Sequence, residues 1–395
     1  MTAARKDLFD LPDGVIYLDG NSLGPLPKAV KERVMQTLQQ EWGHELIRAW
    51  NTKNWMDQPR RLGDKIARII GATPGSVMVG DTLSIQVFQA LSAALDMVPE
   101  RRIVVSDTEN FPSDLYIADG LIRLKGKDYT LRLAAPDRLN DAIDDSVAAV
   151  LLTHVDYRSG GRHEMDRVTR IAHEAGAPMI WDLAHSAGAI PVDVTSSSCD
   201  FAVGCTYKYL NAGPGAPAFI YIRPDLIPSV KPALTGWLGH AAPFEFDRSY
   251  RPAYGIGRMR IGTPPVLQMA ALDAALSLWD DLDLSELWRA SQALSQHFIS
   301  HVEQHCPDLQ LVSPRDPDAR GSHVSFAFEH GYAAMRALID EGVIGDFRAP
   351  NIMRFGFAPL YLDTNDIDHA FKTLREVLDR RLWDHSRYLA RRPVT

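Results

Sequence analysis

Lys208 stands where a short apolar run, residues 201–205, gives way to Thr206-Tyr207-Lys208-Tyr209 and then to the loop signal Gly213-Pro214-Gly215. A lysine at the end of a buried strand is costly unless it has a partner or a task. Partial burial lowers an amine's pKa, which suits lysine to form Schiff bases with carbonyl cofactors. An ordinary surface lysine at a strand end is the competing reading, and this stretch alone does not choose. Upstream, Met179-Ile180-Trp181 runs into Asp182 and His185. If Lys208 holds pyridoxal phosphate (PLP), the ring nitrogen needs a carboxylate to stay protonated and draw electrons from the substrate. Asp182 ends the preceding apolar run, one connection and one strand before Lys208. A turn cap for Asp182 and a satisfied core position for His185 are the plain alternatives; the three residues together favour a site.

The elements that must position these residues alternate. Apolar runs at 77–80, 103–106, 148–153, 179–181, 201–205 and 219–222 predict strands. Helical periodicity over 60–70, 85–95 and 162–175 predicts helices among them. The fold class is therefore α/β, a large domain with a mostly parallel sheet sandwiched by helices. In such sheets ligands bind beyond the carboxyl ends of the strands. Ser84, Asp114, Thr153, Asp182 and Lys208 all lie at or just after a predicted strand end. Ser84 falls at a helix start, where free backbone N–H groups suit a phosphate, although an ordinary N-cap explains it equally. Residues 110–114, Asn-Phe-Pro-Ser-Asp, read as a loop.

Outside the sheet region, residues 15–18 form a short extended run before the turn-rich stretch 19–25, and a helix over 28–42 follows. Trp50 and Trp55 pack a core or wall a flat substrate. Residues 224–260 lack periodicity, which points to a functional loop or an interface. From Val266 the pattern changes to a smaller C-terminal α+β domain: helix 285–305, strands near 309–312 and 323–328, helix 332–341, a strand pair within 343–357, and a helix from Ile367. The organisation expected is an N-terminal segment, 1–50, reaching the active site, a PLP-binding domain, 51–265, and the small domain, 266–395.

The 395 residues carry a formal net charge of −8 without blocks of like charge, so nucleic acid and anionic membranes are poor partners. Cys199, Cys205 and Cys306 are odd in number and contain no CxxC, which suits reduced thiols in a cytoplasmic protein, and no metal site is expected. No apolar leader or 18-residue apolar span occurs.

Six motifs together resemble the kynureninase family of PLP fold type I, the aspartate aminotransferase-like superfamily. They are Leu-Asp-Gly-Asn-Ser-Leu-Gly at 18–24, Phe-Pro-Ser-Asp at 111–114, Trp-Asp-Leu-Ala-His-Ser at 181–186, Thr-Tyr-Lys-Tyr-Leu-Asn-Ala-Gly-Pro-Gly at 206–215, Lys-Pro-Ala-Leu-Thr-Gly-Trp-Leu-Gly-His at 231–240 and Arg-Ile-Gly-Thr-Pro-Pro at 260–265. The resemblance spans residues 18–361 and implies roles. Lys208 holds PLP and acts as the base at Cα. Asp182 pairs with the ring nitrogen, and His185 and Asp114 support the ring on its 3′-oxygen side. Phe111 stacks on the ring, with Pro112, Ser113 and Thr153 in the same cofactor site. Leu83 (through its backbone), Ser84 and Tyr207 bind the phosphate. Trp237 and Thr263 come from the second subunit of a homodimer. Arg354 clamps the substrate α-carboxylate, as a planar bidentate donor can. Tyr207 is the candidate proton carrier for hydration of the γ-carbonyl.

The implied reaction is hydrolysis of L-kynurenine to anthranilate and L-alanine within tryptophan degradation; whether 3-hydroxykynurenine is also cleaved is left open. Some family members carry Asn where Thr263 stands, and the animal enzymes carry His at the position of Trp50. Trp50 and Ser22 at the aromatic end of the pocket favour the unsubstituted ring. A cysteine desulfurase or class V aminotransferase is the nearest rival, but a desulfurase needs a mobile cysteine, and none of the three fits. A binding protein on a dead PLP fold is opposed by Lys208, Asp182 and His185 standing together.

Overall fold

A computed structural model describes residues 4–126 and 128–390. Lys127 and the outermost ends of the expected 1–50 and 266–395 units, residues 1–3 and 391–395, lie outside the described residues. The strands are β1 (Ile16–Tyr17), β2 (Val77–Val79), β3 (Ile103–Asp107), β4 (Thr130–Ala134), β5 (Val147–Thr153), β6 (Met179–Asp182), β7 (Phe201–Gly204), β8 (Phe219–Ile222), β9 (Gln310–Leu311), β10 (His323–Ala327), β11 (Val343–Ile344), β12 (Asp346–Arg348) and β13 (Ile352–Gly356).

Seven strands form one sheet in the order β2-β8-β7-β6-β5-β3-β4, in which β8 alone runs against the rest. The central strands are apolar along their whole length because both faces are covered. Leu151, Ile180, Val203 and Ile220 face one core, which includes Val87, Ala90 and Leu91 of the helix Leu83–Met97. Their neighbours Val150, Trp181, Ala202 and Phe219 face the other, with Leu62 and Ile66 of the helix Gln58–Ile69. That alternation is the two-residue period of a strand.

Most predicted elements are present, with three differences. A helix, Pro112–Lys125, begins where a loop was expected, so Pro112, Ser113 and Asp114 form its first turn. Pro at a first helical position is as natural as Pro in a turn. The edge strand β4 was not expected; it is only partly buried and lacks an apolar run. The helix expected over 28–42 is regular only over Lys28–Gln36 and continues as wider turns over Thr37–Glu45.

The C-terminal part holds a four-stranded antiparallel sheet, β12-β13-β10-β9, with the helix Leu284–His305 against β9 and β10, Gly331–Asp340 against β12 and β13, and Thr364–Asp379 packed on both helices. The Asp283 and Asp363 side chains cap Leu284–His305 and Thr364–Asp379 by accepting from backbone N–H groups of the first turn. The N-terminal segment joins the two parts. β1 pairs with β11, and the loop after it lies against the Lys208 stretch, with Gly24 N–H donating to Tyr207 O at 2.8 Å. A Cβ on Gly24 would stand 2.2 Å from Lys208 O, so this approach requires glycine.

Candidate active site

In register, Thr153 at the end of β5 pairs with Asp182 at the end of β6, which pairs with Val203 of β7. Lys208 follows four residues after β7 closes. All three therefore meet beyond the carboxyl edge of the sheet. Lys208 Nζ lies 2.9 Å from His185 Nε2, 6.0 Å from the centre of the Phe111 ring and 5.8 Å from that of Tyr207. Two buried carboxyls, Asp114 and Asp182, feel its charge. Burial raises Asp182 to about 6, against the pull of Lys208 and of the Ala184 N–H, which donates at 2.8 Å. Burial, then the charge of Asp182, raise Asp114 well above its ordinary value. His185 is held neutral by burial and by the Lys208 charge. Burial also raises the phenol of Tyr207.

Two helix starts converge beside this group. Leu83 and Ser84 open one helix, and Pro112, Ser113 and Asp114 open another. Ser84 Oγ lies 3.3 Å from Ser113 Oγ. Aligned N–H groups and partial positive charge at helix starts favour an anion. Asn110 fixes the entry to the second helix: its amide donates to Ser106 Oγ at 2.8 Å, and its oxygen accepts from Thr153 Oγ1 and from Phe111 N–H. Phe111 is partly exposed and meets Tyr157 edge-on at 5.1 Å.

Arg354 approaches from the C-terminal sheet. It is buried on β13 opposite Asp346 of β12. Its Nε donates to Asp346 Oδ1 at 2.6 Å, Nη2 donates to Asp346 Oδ2 and, at 3.0 Å, to Ser22 Oγ, and Nη1 donates to Tyr157 O. Burial works against this guanidinium's charge, but the Asp346 hydrogen bond and charge outweigh it and raise its pKa. Ser22 also donates to Asp346 at 2.6 Å, and Arg348 lies 2.8 Å from the same carboxylate. Asp19 stands beside them, raised to about 7 by burial and then by Asp346. Asp346, Arg348, Asp19, Asn110 and Tyr157 were not anticipated from the sequence. The register of β12 against β13 sets Asp346 directly across from Arg354.

Other expected residues are not joined to this cluster within one protomer. Trp50 meets Trp55 edge-on at 5.4 Å. Trp237, 41% exposed, meets Phe244. Thr263 is exposed and lines a cleft with Gly80, Asp81 and Gln86. No hydrogen bond or ring contact links the three to Lys208 among the described residues. The cysteines are all buried, and burial pushes their thiols up, Cys306 to about 11. That is the opposite of a reactive thiolate.

The residues around Lys208 fit PLP. Asp114 Oδ2, His185 Nδ1 and Ser186 Oγ are buried without a hydrogen-bond partner among the described residues. Asp182, raised to about 6 by burial, is the carboxylate that a protonated ring nitrogen would hold in its charged form.

The whole fold matches solved PLP enzymes. An apo cysteine desulfurase from Thermococcus onnurineus NA1 superposes with a TM-score of 0.81 at 18% identity, covering 95% of this chain and 98% of that one. The cysteine desulfurase CsdA of Escherichia coli gives 0.79 at 19% identity, covering 95% and 98%. The architecture is PLP fold type I. The kynureninase C-terminal domain profile matches residues 287–374. The kynureninase of Pseudomonas fluorescens is 48% identical over all of this chain and 96% of its own length, and that of Burkholderia pseudomallei 47% over the same shares. The chain belongs to the kynureninase family, and with it to the PLP-dependent hydrolases that cleave kynurenine.

Proposed function

We propose that Lys208, Asp182 and Arg354 organise this cleavage, in which water and the Cβ–Cγ bond of L-kynurenine give anthranilate and L-alanine. The observation that carries the reading is Lys208 Nζ in contact with His185, its charge acting on the buried Asp182–Asp114 pair. When bound, PLP supplies an electron sink at Cα. Asp182 would keep the ring nitrogen protonated, and Phe111, Thr153 and His185 would hold the ring. The Leu83 backbone, Ser84 and Tyr207 would hold the phosphate, together with Pro112 and Ser113. Lys208 moves the proton at Cα, and Tyr207 serves the γ-carbonyl.

Arg354 takes the α-carboxylate, while Asp346 keeps a partner in Arg348 as the fork turns to substrate. Ser22 and Trp50 define the aromatic end. A homodimer brings Trp237 and Thr263 of one protomer to the phosphate of its partner. The 1–50, 51–265 and 266–395 divisions follow the loop, sheet and small-domain roles, in a cytoplasmic setting. The exposed aromatic group Trp237, Phe244, Phe246 and Tyr254 supports the dimer.

Lys208→Ala tests the reading. It should bind PLP without the Schiff-base absorption band and lose turnover by at least roughly a thousandfold. Wild-type turnover would remove Lys208 from the chemistry.

A further inference from the structure

A second group of metal-ligating side chains lies apart from Lys208, on the two helices of the C-terminal part. His297 and His301 are four residues apart on Leu284–His305, so both rings project from one face. Asp368 reaches them from Thr364–Asp379. Its Oδ1 lies 2.7 Å from His297 Nε2 and 3.8 Å from His301 Nε2, and the three candidate ligand atoms lie within 4.8 Å of one another. The rings meet edge-on at 4.5 Å, and His301 stacks on Phe371 at 4.8 Å, which limits its rotation.

We propose that His297, His301 and Asp368 form a binding site for a divalent transition metal, zinc in the first instance, that staples these two helices together. Zinc bonds of about 2.0–2.2 Å in tetrahedral geometry set neighbouring ligand atoms roughly 3.3 Å apart. The 2.7 Å His297–Asp368 contact, a hydrogen bond that the metal would replace, and the 3.8 Å His301–Asp368 spacing straddle that value, and the remaining pair lies within 4.8 Å. All three side chains are partly exposed, which leaves water access to the fourth position. Two imidazoles and one carboxylate suit zinc, copper or nickel and not magnesium or calcium, which prefer oxygen ligands. Neither helix contributes a residue to the proposed PLP chemistry, so the staple acts on stability.

The test is calorimetric titration of tag-free, chelator-treated holoenzyme with zinc chloride, with magnesium chloride as a second arm. The wild type should take up one zinc per chain at low micromolar affinity or better, and no magnesium. Its Tm should rise with zinc in a saturable way. His301→Ala and Asp368→Asn should weaken zinc at least roughly tenfold and lose the Tm rise, while keeping kynurenine turnover. His305→Ala, one turn further along the same helix, should bind zinc as the wild type does. Asp368→Asn preserves side-chain shape, and Tm in chelator verifies that each variant is folded. Absence of stoichiometric zinc uptake by the wild type overturns the proposal, as does unaltered affinity in His301→Ala and Asp368→Asn.

Discussion

Arg354 and Asp346 form the most tightly enclosed ion pair around the proposed carboxylate site, both almost fully buried. Such a pair contributes little net stability while intact, but removing one partner strands a buried charge at roughly 3–5 kcal/mol. Arg354→Ala should therefore lower Tm as well as activity. Arg354→Lys keeps the charge and loses the fork, so it should raise KM and lower kcat, with kcat/KM down roughly a hundredfold. Wild-type kcat/KM in both variants would make Arg354 purely structural. Asp19 gives a pH signature. Its carboxyl is raised in the fold from 3.8 to about 7, by burial and then by Asp346, so the folded state keeps a proton that the unfolded chain releases. That contribution to stability is complete below 3.8 and is lost as pH rises through about 7. Asp19→Asn should flatten the fall of Tm across this window; parallel Tm curves would show that Asp19 does not titrate there. Lys208, Asp182 and His185 were legible in the sequence because each follows an apolar run. Asp346 was not, because it becomes a partner of Arg354 only through hairpin register.

At the scale of elements, sheet and helices deliver the chemistry by where they end. The starts of Leu83–Met97 and Pro112–Lys125 meet at Ser84 and Ser113. A hydroxyl bonding a charged phosphate contributes about 1.5–3 kcal/mol. Ser84→Ala should therefore weaken PLP at least roughly tenfold, measured by titrating the apoprotein and following absorbance. Unchanged affinity would place the phosphate elsewhere. The buried strands could be read from sequence because two covered faces demand continuous apolar runs. β4 could not, because a partly buried edge strand has no such demand and carries Arg132. The helix start at Pro112 was masked by chemistry that turns and first helical turns share. The loop of residues 19–25 announced itself by turn formers, but its destination emerged only from the contact of Gly24 with the Lys208 stretch.

At the scale of the whole molecule, the large sheet, the small sheet and the N-terminal loop contribute the residues around Lys208 and Arg354, while Trp237 packs against the exposed Phe244 and Thr263 lines a cleft with Gly80, Asp81 and Gln86. No helix among the described residues is long and apolar enough to cross a membrane. A shared-site dimer predicts complementation. Lys208→Ala protomers mixed with Trp237→Ala protomers should regain part of the wild-type activity, since one site in each hybrid would be intact. No recovery, with subunit exchange verified by mass, would speak for separate sites. Hydrolysis of kynurenine at Lys208 is read by anthranilate fluorescence, with alanine quantified in parallel, after adding L-kynurenine to the PLP-loaded protein and to Lys208→Ala. The expected result is one anthranilate and one alanine per kynurenine consumed by the wild type, and neither product from the variant. Kynurenine left intact by the folded, PLP-loaded wild type, or equal product from Lys208→Ala, would contradict it.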